Sequence, residues 1–197
     1  MEQFWQENGY ISLLVNTIPG IENKSYLELG LGRGVNFSCI KAARKVSVDI
    51  QKETKPTFQM STDAFFEQNA ERFDIVFIDA DHSFNQVVKD FNHTLLICND
   101  YLFLHDMVPP VEELTTPPKC GDAYKLLFCL VEIVGVLVYT LDSDCGLSFI
   151  RMPMEAKQMD FPSLLNLDYQ TFHNWLNRKH HQYSLEKMLD ILKGTVN

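Results

Sequence analysis

Two short stretches of this chain place carboxylates beside imidazoles. Asp79-Ala80-Asp81-His82 carries two carboxylates and a ring within one turn, and His105-Asp106 repeats the pairing downstream. An imidazole titrates near physiological pH, so His82 is a candidate acceptor for the proton of a bound hydroxyl. The competing reading is a solvated loop histidine. A third stretch is the run Glu28-Leu29-Gly30-Leu31-Gly32-Arg33-Gly34. Glycines at alternate positions let a backbone turn tightly and approach a ligand closely. A helix starting near Val35 would add free N–H groups and the positive end of its dipole. Together these features imply a bulky, polar, partly anionic ligand across the turn. Asp49 and the run Ser61-Thr62-Asp63, which has helix N-cap chemistry, complete the polar inventory.

The elements that must position these residues follow from periodicity and breakers. An amphipathic helix over 4–18 ends at Pro19-Gly20, and strand one covers 26–29. A helix over 35–44, a strand over 45–50, a short strand over 56–60 and a helix over 64–69 come next. The run 73–78 is almost continuously apolar, as expected of a strand covered on both faces. A helix over 84–97 turns Val87, Val88, Phe91, Leu95 and Leu96 inward. A fifth strand covers 101–104, and a helix covers 122–134. Strands over 136–141 and 147–152 form a hairpin through the Asp- and Gly-bearing turn 142–146. The tail reads as two helices, 169–178 and 185–193.

Strands alternating with helices predict an α/β, doubly wound, Rossmann-like fold. It has a seven-stranded, mostly parallel sheet with a C-terminal antiparallel hairpin and helices on both faces. The chain reads as one domain over 1–197, with an N-terminal helix in 1–20, the core sheet in 25–152 and a helical tail in 153–197. In such sheets the ligand lies outside the carboxyl ends of the strands, at the switch point of strand order. Positions 28–34, 49, 61–63, 79–82 and 105–106 all fall on that edge. This coincidence is the strongest functional signal in the sequence.

Composition narrows the class. The 197 residues are 46% hydrophobic and 22% charged, as in a soluble globular protein. The net charge of -9 argues against a large nucleic-acid interface, which needs a basic face. The short run Asn177-Arg178-Lys179-His180-His181 reads as a solvated helix end. The five cysteines, Cys39, Cys98, Cys120, Cys129 and Cys145, form no CxxC pair and suggest free thiols in a reducing cytoplasmic setting. No secretory signal opens the chain, and the apolar stretch 126–141 is too short to span a membrane.

The glycine turn separates two cofactor classes. A dinucleotide fold wants GxGxxG, but Val35 stands at the third glycine position and Gly34 falls one place early. Glu28-x-Gly30-x-Gly32-x-Gly34 followed by Asp49 after strand two resembles the first two motifs of class I S-adenosylmethionine-dependent methyltransferases. The resemblance implies that Glu28, Gly30, Gly32 and Gly34 face the amino-acid part of S-adenosyl-L-methionine and that Asp49 accepts from the ribose hydroxyls. It also places Thr62 and Asp63 beside the adenine and Asp79 at the cofactor. Ser61-Thr62-Asp63-Ala64-Phe65-Phe66, the run Phe73 to His82, Gln86-Val87-Val88-Lys89-Asp90, Leu104-His105-Asp106-Met107-Val108-Pro109 and Gly121-Asp122-Ala123-Tyr124-Lys125 are similar to a small bacterial-type branch of that family with an F-D-x-x-F-I-D-x-x-H motif. Phe65 and Phe66 by themselves read as core, and Lys125 as a surface charge.

Metal-dependent catechol-type O-methyltransferases are similar in the same region. That likeness implies a divalent cation such as Mg²⁺ on Asp79 and Asp106, with His105 near, and His82 at the position of the catalytic base. Met107 departs from the pattern, because an asparagine is expected there and a thioether is a poor ligand for a hard cation. The activity so implied is transfer of a methyl group to a hydroxyl of a small molecule, a sugar or secondary metabolite. Two alternatives stay open: an NAD-type Rossmann oxidoreductase, and a cofactor-binding protein without catalysis. The acceptor and the oligomeric state are not legible.

Overall fold

A computed structural model describes residues 9–152 and 167–195. The expected helix positions Phe4 and Trp5, and the first part of the tail, lie outside the described residues. Eight strands form one sheet: β1 (Ser25–Leu29), β2 (Arg44–Asp49), β3 (Phe58–Gln59), β4 (Phe73–Ile78), β5 (Cys98–Leu104), β6 (Tyr139–Leu141), β7 (Ser148–Arg151) and β8 (Gln182–Tyr183). Their order is β3-β2-β1-β4-β5-β7-β6-β8. Among the described residues only β7 runs against its neighbours, pairing antiparallel with both β5 and β6. The sequence predicts seven strands. The eighth is a two-residue strand that joins β6 in parallel through Thr140↔Gln182 and Leu141↔Tyr183, too short to leave a periodic trace.

Helices α1 (Tyr10–Thr17), α2 (Val35–Cys39), α3 (Thr62–Gln68), α4 (Phe84–Ile97), α5 (Tyr124–Phe128), α6 (Tyr169–Lys179) and α7 (Leu185–Lys193) cover the sheet. The period-2 alternation of strand side chains splits the core into two layers. Leu27, Leu29, Val76, Ile78, Leu102 and Leu104 face α4, α5 and α6. Tyr26, Ile75, Phe77, Phe103 and Phe149 face α1 and α7, whose Leu14, Val15, Met188 and Ile191 close that side. Both faces of β4 are therefore covered, which is why its sequence is nearly all apolar.

Two expected boundaries and one expected burial differ. The helix expected over 35–44 stops at Cys39, because Asn16 draws the chain aside: its Nδ2 donates to the Cys39 carbonyl at 2.9 Å and its Oδ1 accepts from Lys41 N at 2.9 Å. Ile40 then turns into the core. Beyond α5 the helix continues as a π turn, Cys129–Val134, ended by Gly135, so the next strand begins only at Tyr139. On α4, Val87, Phe91 and Leu95 are buried, but Leu96 is 50% exposed, against the inward position expected for it.

Candidate functional site

The strand order reverses between β1 and β4, so their carboxyl ends leave a crevice. The glycine turn crosses it. Gly30 has φ +87°, and a Cβ there would lie 1.9 Å from the Asp79 carbonyl oxygen. No other residue fits, because the turn after β1 and the turn after β4 touch backbone to backbone. Gly32 also has positive φ, but a Cβ on it would meet nothing within 4 Å.

Asp49, at the end of β2, holds this turn. Its Oδ2 accepts from Leu31 N at 2.8 Å and Gly32 N at 3.0 Å, and its Oδ1 accepts from Gln51 N at 2.7 Å. The sequence singles out Asp49 as a ligand acceptor. The structure shows it also organising the loop, with one lone pair on Oδ1 left for a ligand. Helix α2 has only five residues, so little macrodipole stands behind the turn. The Asn36 amide oxygen is buried beside the cleft without a hydrogen-bond partner among the described residues.

Glu28 is 2% exposed and accepts from the Tyr26 hydroxyl at 2.6 Å. Burial, reinforced by the charge of Asp79, outweighs that hydrogen bond and pushes its carboxyl up to about 8. At neutral pH it is mostly an uncharged acid.

At the start of α3 the cap is Ser61, whose hydroxyl accepts from Ala64 N at 3.2 Å. Thr62 and Asp63 are thereby left to a neighbour on α4 to which the sequence assigns no role. Gln86 Nε2 lies 3.2 Å from Thr62 Oγ1 and 2.9 Å from Asp63 Oδ1, and it also reaches Asp90 Oδ1. Its amide, foremost, holds Asp63 below the usual carboxylate range.

On the far side of the crevice, Asp79, His82, His105 and Asp106 meet. His82 Nε2 is 3.4 Å from Asp79 Oδ1, and its Nδ1 is 3.3 Å from Asp106 Oδ2. His105 Nδ1 lies 3.3 Å from Asp79 Oδ1 and 3.4 Å from Asp106 Oδ1. Burial would lower His82, but the bond to Asp79, the charge of Asp106 and the Lys119 carbonyl outweigh it and lift the ring to about 9. Burial opposes protonation of His105 too, and the same two carboxylates overcome it. Burial would raise Asp79, yet the facing rings hold it well below its ordinary value. The expectation of a neutral His82 imidazole is therefore reversed here: the ring keeps its proton at pH 7. Its Nδ1 hydrogen bonds to the Lys119 carbonyl, which can only accept, so Nε2 is the nitrogen free to give up a proton.

The Gly121-Asp122-x-x-Lys125 motif fixes His82. A Cβ on Gly121, at φ +57°, would sit 2.3 Å from the His82 carbonyl oxygen. Asp122 N donates to that carbonyl at 3.1 Å, and Asp122 Oδ1 accepts from Phe84 N at 2.6 Å, capping α4. Lys125, expected on the surface, is buried and pairs with Asp122 Oδ2 at 3.1 Å. Met107 is wholly buried in the core and offers nothing to the cleft.

These residues line one cleft of about 840 Å³, running from Asp49 and Thr62 past the glycine turn to His82, His105 and Asp106. The sequence assigns no role to Gln86, although its run belongs to the family resemblance, and it missed Asp144 and Cys145, which come from a turn with no motif of its own. No helix among the described residues is long and apolar enough to cross a membrane.

No protein-family model and no curated protein matches this chain. Solved structures do. The cofactor-bound Rv0187 from MTB matches with a TM-score of 0.56 at 15% identity, over 74% of this chain and 79% of that one. A Corynebacterium glutamicum protein matches with a TM-score of 0.56 at 13% identity, over 76% of this chain and 82% of that one. The O-methyltransferase from Bacillus cereus in complex with SAH matches with a TM-score of 0.51 at 15% identity, over 74% and 80%. The chain thus has the α/β Rossmann-like fold of methyltransferases, as the alternation of strands and helices predicts.

Proposed function

We propose that this chain is an S-adenosylmethionine-dependent methyltransferase whose acceptor is a hydroxyl on a small molecule. The carrying observation is the single cleft that joins the turn held by Asp49 to the Asp79–His82–His105–Asp106 cluster. The solved Bacillus cereus O-methyltransferase with this fold has SAH bound, which supports the cofactor. So does the local fit. The side chain that Gly32 lacks leaves open space, Asp49 keeps a free lone pair, and the Asn36 oxygen lacks a partner. S-adenosylmethionine, when bound, supplies a methyl group on a sulfonium for in-line displacement.

The protein's own share is mostly alignment. Gly30, Gly32 and Gly34 shape the backbone against the methionine part, with Glu28 beneath, and Asp49 accepts from the ribose. Thr62 and Asp63, braced by Gln86, border the base. Asp79 faces both the cofactor side and the two rings. His82 and His105 hold the acceptor hydroxyl between Asp79 and Asp106. Positive charge entering the cleft disfavours two imidazoliums side by side, so His82 releases its Nε2 proton to solvent as the cofactor binds and then takes the proton of the acceptor hydroxyl as methyl transfer proceeds. Asp79 and Asp106 are already matched by these rings, and Met107 points into the core. The described residues therefore fit a hard cation such as Mg²⁺ poorly.

Calorimetric titration with S-adenosylhomocysteine tests the reading. One equivalent should bind, and Asp49→Ala should weaken binding at least tenfold, since hydrogen bonds to a charged group are worth about 1.5–3 kcal/mol. A folded protein that binds none overturns it. A transferase screen over hydroxylated small molecules, with His82→Ala as control, separates catalysis from mere cofactor binding.

A further inference from the structure

We infer that Cys120, Cys145 and Asp106 form a binding site for a thiophilic divalent metal ion, zinc, at the floor of the cleft. One ligand atom from each of the three lies within 4.8 Å of the other two. Cys120 is fully buried and Asp106 is 3% exposed, while Cys145 and Asp106 line the cleft. Two sulfurs held 2.3 Å from a tetrahedral zinc sit about 3.8 Å apart, so closing this triad on an ion needs a contraction of about 1 Å or less.

A second observation points to a ligand. Asp106 Oδ1 is buried and accepts no well-formed hydrogen bond among the described residues, its one close partner being the His105 ring at 3.4 Å. A buried carboxylate oxygen held by a single long contact is incompletely satisfied, and a cation would complete it. Three separate segments are pinned to bring the donors together. Val108 N donates to the Cys145 carbonyl at 2.7 Å, tying the β6–β7 turn to the segment after β5. A Cβ on Gly146 would lie 2.5 Å from Val108 N, so the approach is as close as backbones allow. Cys120 follows Lys119, whose carbonyl contacts His82. The left-handed φ values of Asp106 (60°), Asp144 (53°) and Cys145 (50°) all occur at this one place.

The donor chemistry selects the metal. Two thiols with one carboxylate suit zinc and disfavour magnesium or calcium, which want oxygen alone. Three protein ligands leave a fourth position open toward the cleft. Coordination forms two Zn–S bonds and one Zn–O bond, and the two thiol protons pass to solvent. The site shares Asp106 with the cluster proposed to hold the acceptor hydroxyl but no ligand with the cofactor, and metal uptake is read without methyl transfer, so the two readings fail separately.

The test is metal uptake by the full-length, reduced, chelator-treated protein. One equivalent of zinc should bind, and cobalt(II) in its place should show a thiolate-to-cobalt charge-transfer band. Zinc should protect the partly accessible Cys145 from alkylation, and leave the exposed Cys39 reactive, as read by mass spectrometry on the unaltered chain. The double substitution Cys120→Ser, Cys145→Ser should abolish the band, whereas Cys39→Ser and Asp79→Asn should keep it. Failure of the folded, reduced wild type to bind either metal overturns the proposal. So does zinc binding that survives the double serine variant but is lost in Asp79→Asn, which would place the ion on the carboxylates instead. Alkylation of Cys145 that is unchanged by zinc also overturns it.

Discussion

Glu28 shows how a single buried carboxyl ties stability to the site. Its folded-state value of about 8 stands above the ordinary 4.5, so between those values the native protein binds a proton that the unfolded chain does not. Stability contributed by this group is complete below about pH 4.5 and falls as pH rises toward 8, at up to about 1.4 kcal/mol per pH unit. Glu28→Gln keeps an acceptor for the Tyr26 hydroxyl and removes the titration. Denaturant melts at pH 5 and pH 8 should show the variant gaining on the wild type by several kcal/mol over that range. A constant difference between the two proteins would show that Glu28 is not held protonated. His82 adds to the same trend, since its ring is lifted from 6.5 to about 9 and its stabilising contribution is lost over that interval. Asp49 is the other residue whose role divides: the loop and the ligand compete for one carboxylate. Asp49→Asn should therefore lower both cofactor affinity and the melting temperature, while a pure ligand contact would lower only the first.

At the level of elements, the loop before α5 acts as a clamp on the loop after β4. Gly121 has no room for a Cβ against the His82 carbonyl, and its left-handed φ alone costs a non-glycine residue about 1–2 kcal/mol. Gly121→Ala should lower the melting temperature by several degrees, as about 2–4 °C accompanies each kcal/mol in a chain of this size. Asp122→Ala should do the same by another route: it uncaps α4 at Phe84 N and strands the buried Lys125 ammonium. Both variants should also displace His82, so transferase activity should fall further than cofactor affinity. Thermal melts and calorimetry on the same samples separate the two effects. Equal loss of binding and turnover would count against a positioning role for the clamp.

Across the whole molecule, the sheet is closed on one face by α1 and α7, elements from opposite ends of the chain. Met188 on α7 is wholly buried against α1 and β-strand side chains of that layer. Met188→Ala should cost about 2–5 kcal/mol and should lower the unfolding midpoint without altering the cleft, as chemical denaturation and ligand titration would show. Strand positions were open to reading because each buried strand must present apolar side chains to both layers, and β4, α4 and α7 match their expected spans. The end of α2 and the strand β8 were not, since α2 ends through a bond from Asn16 and β8 exists only because β6 offers it an edge. The sequence by itself determined the fold class and which strand ends carry polar groups, because periodicity and glycine spacing are local constraints. Only the tertiary structure decided that Asp49 is half committed to its own loop and that His82 holds its proton. It alone brings Cys120, Cys145 and Asp106 together, because pairing, burial and charge balance depend on residues distant in the chain.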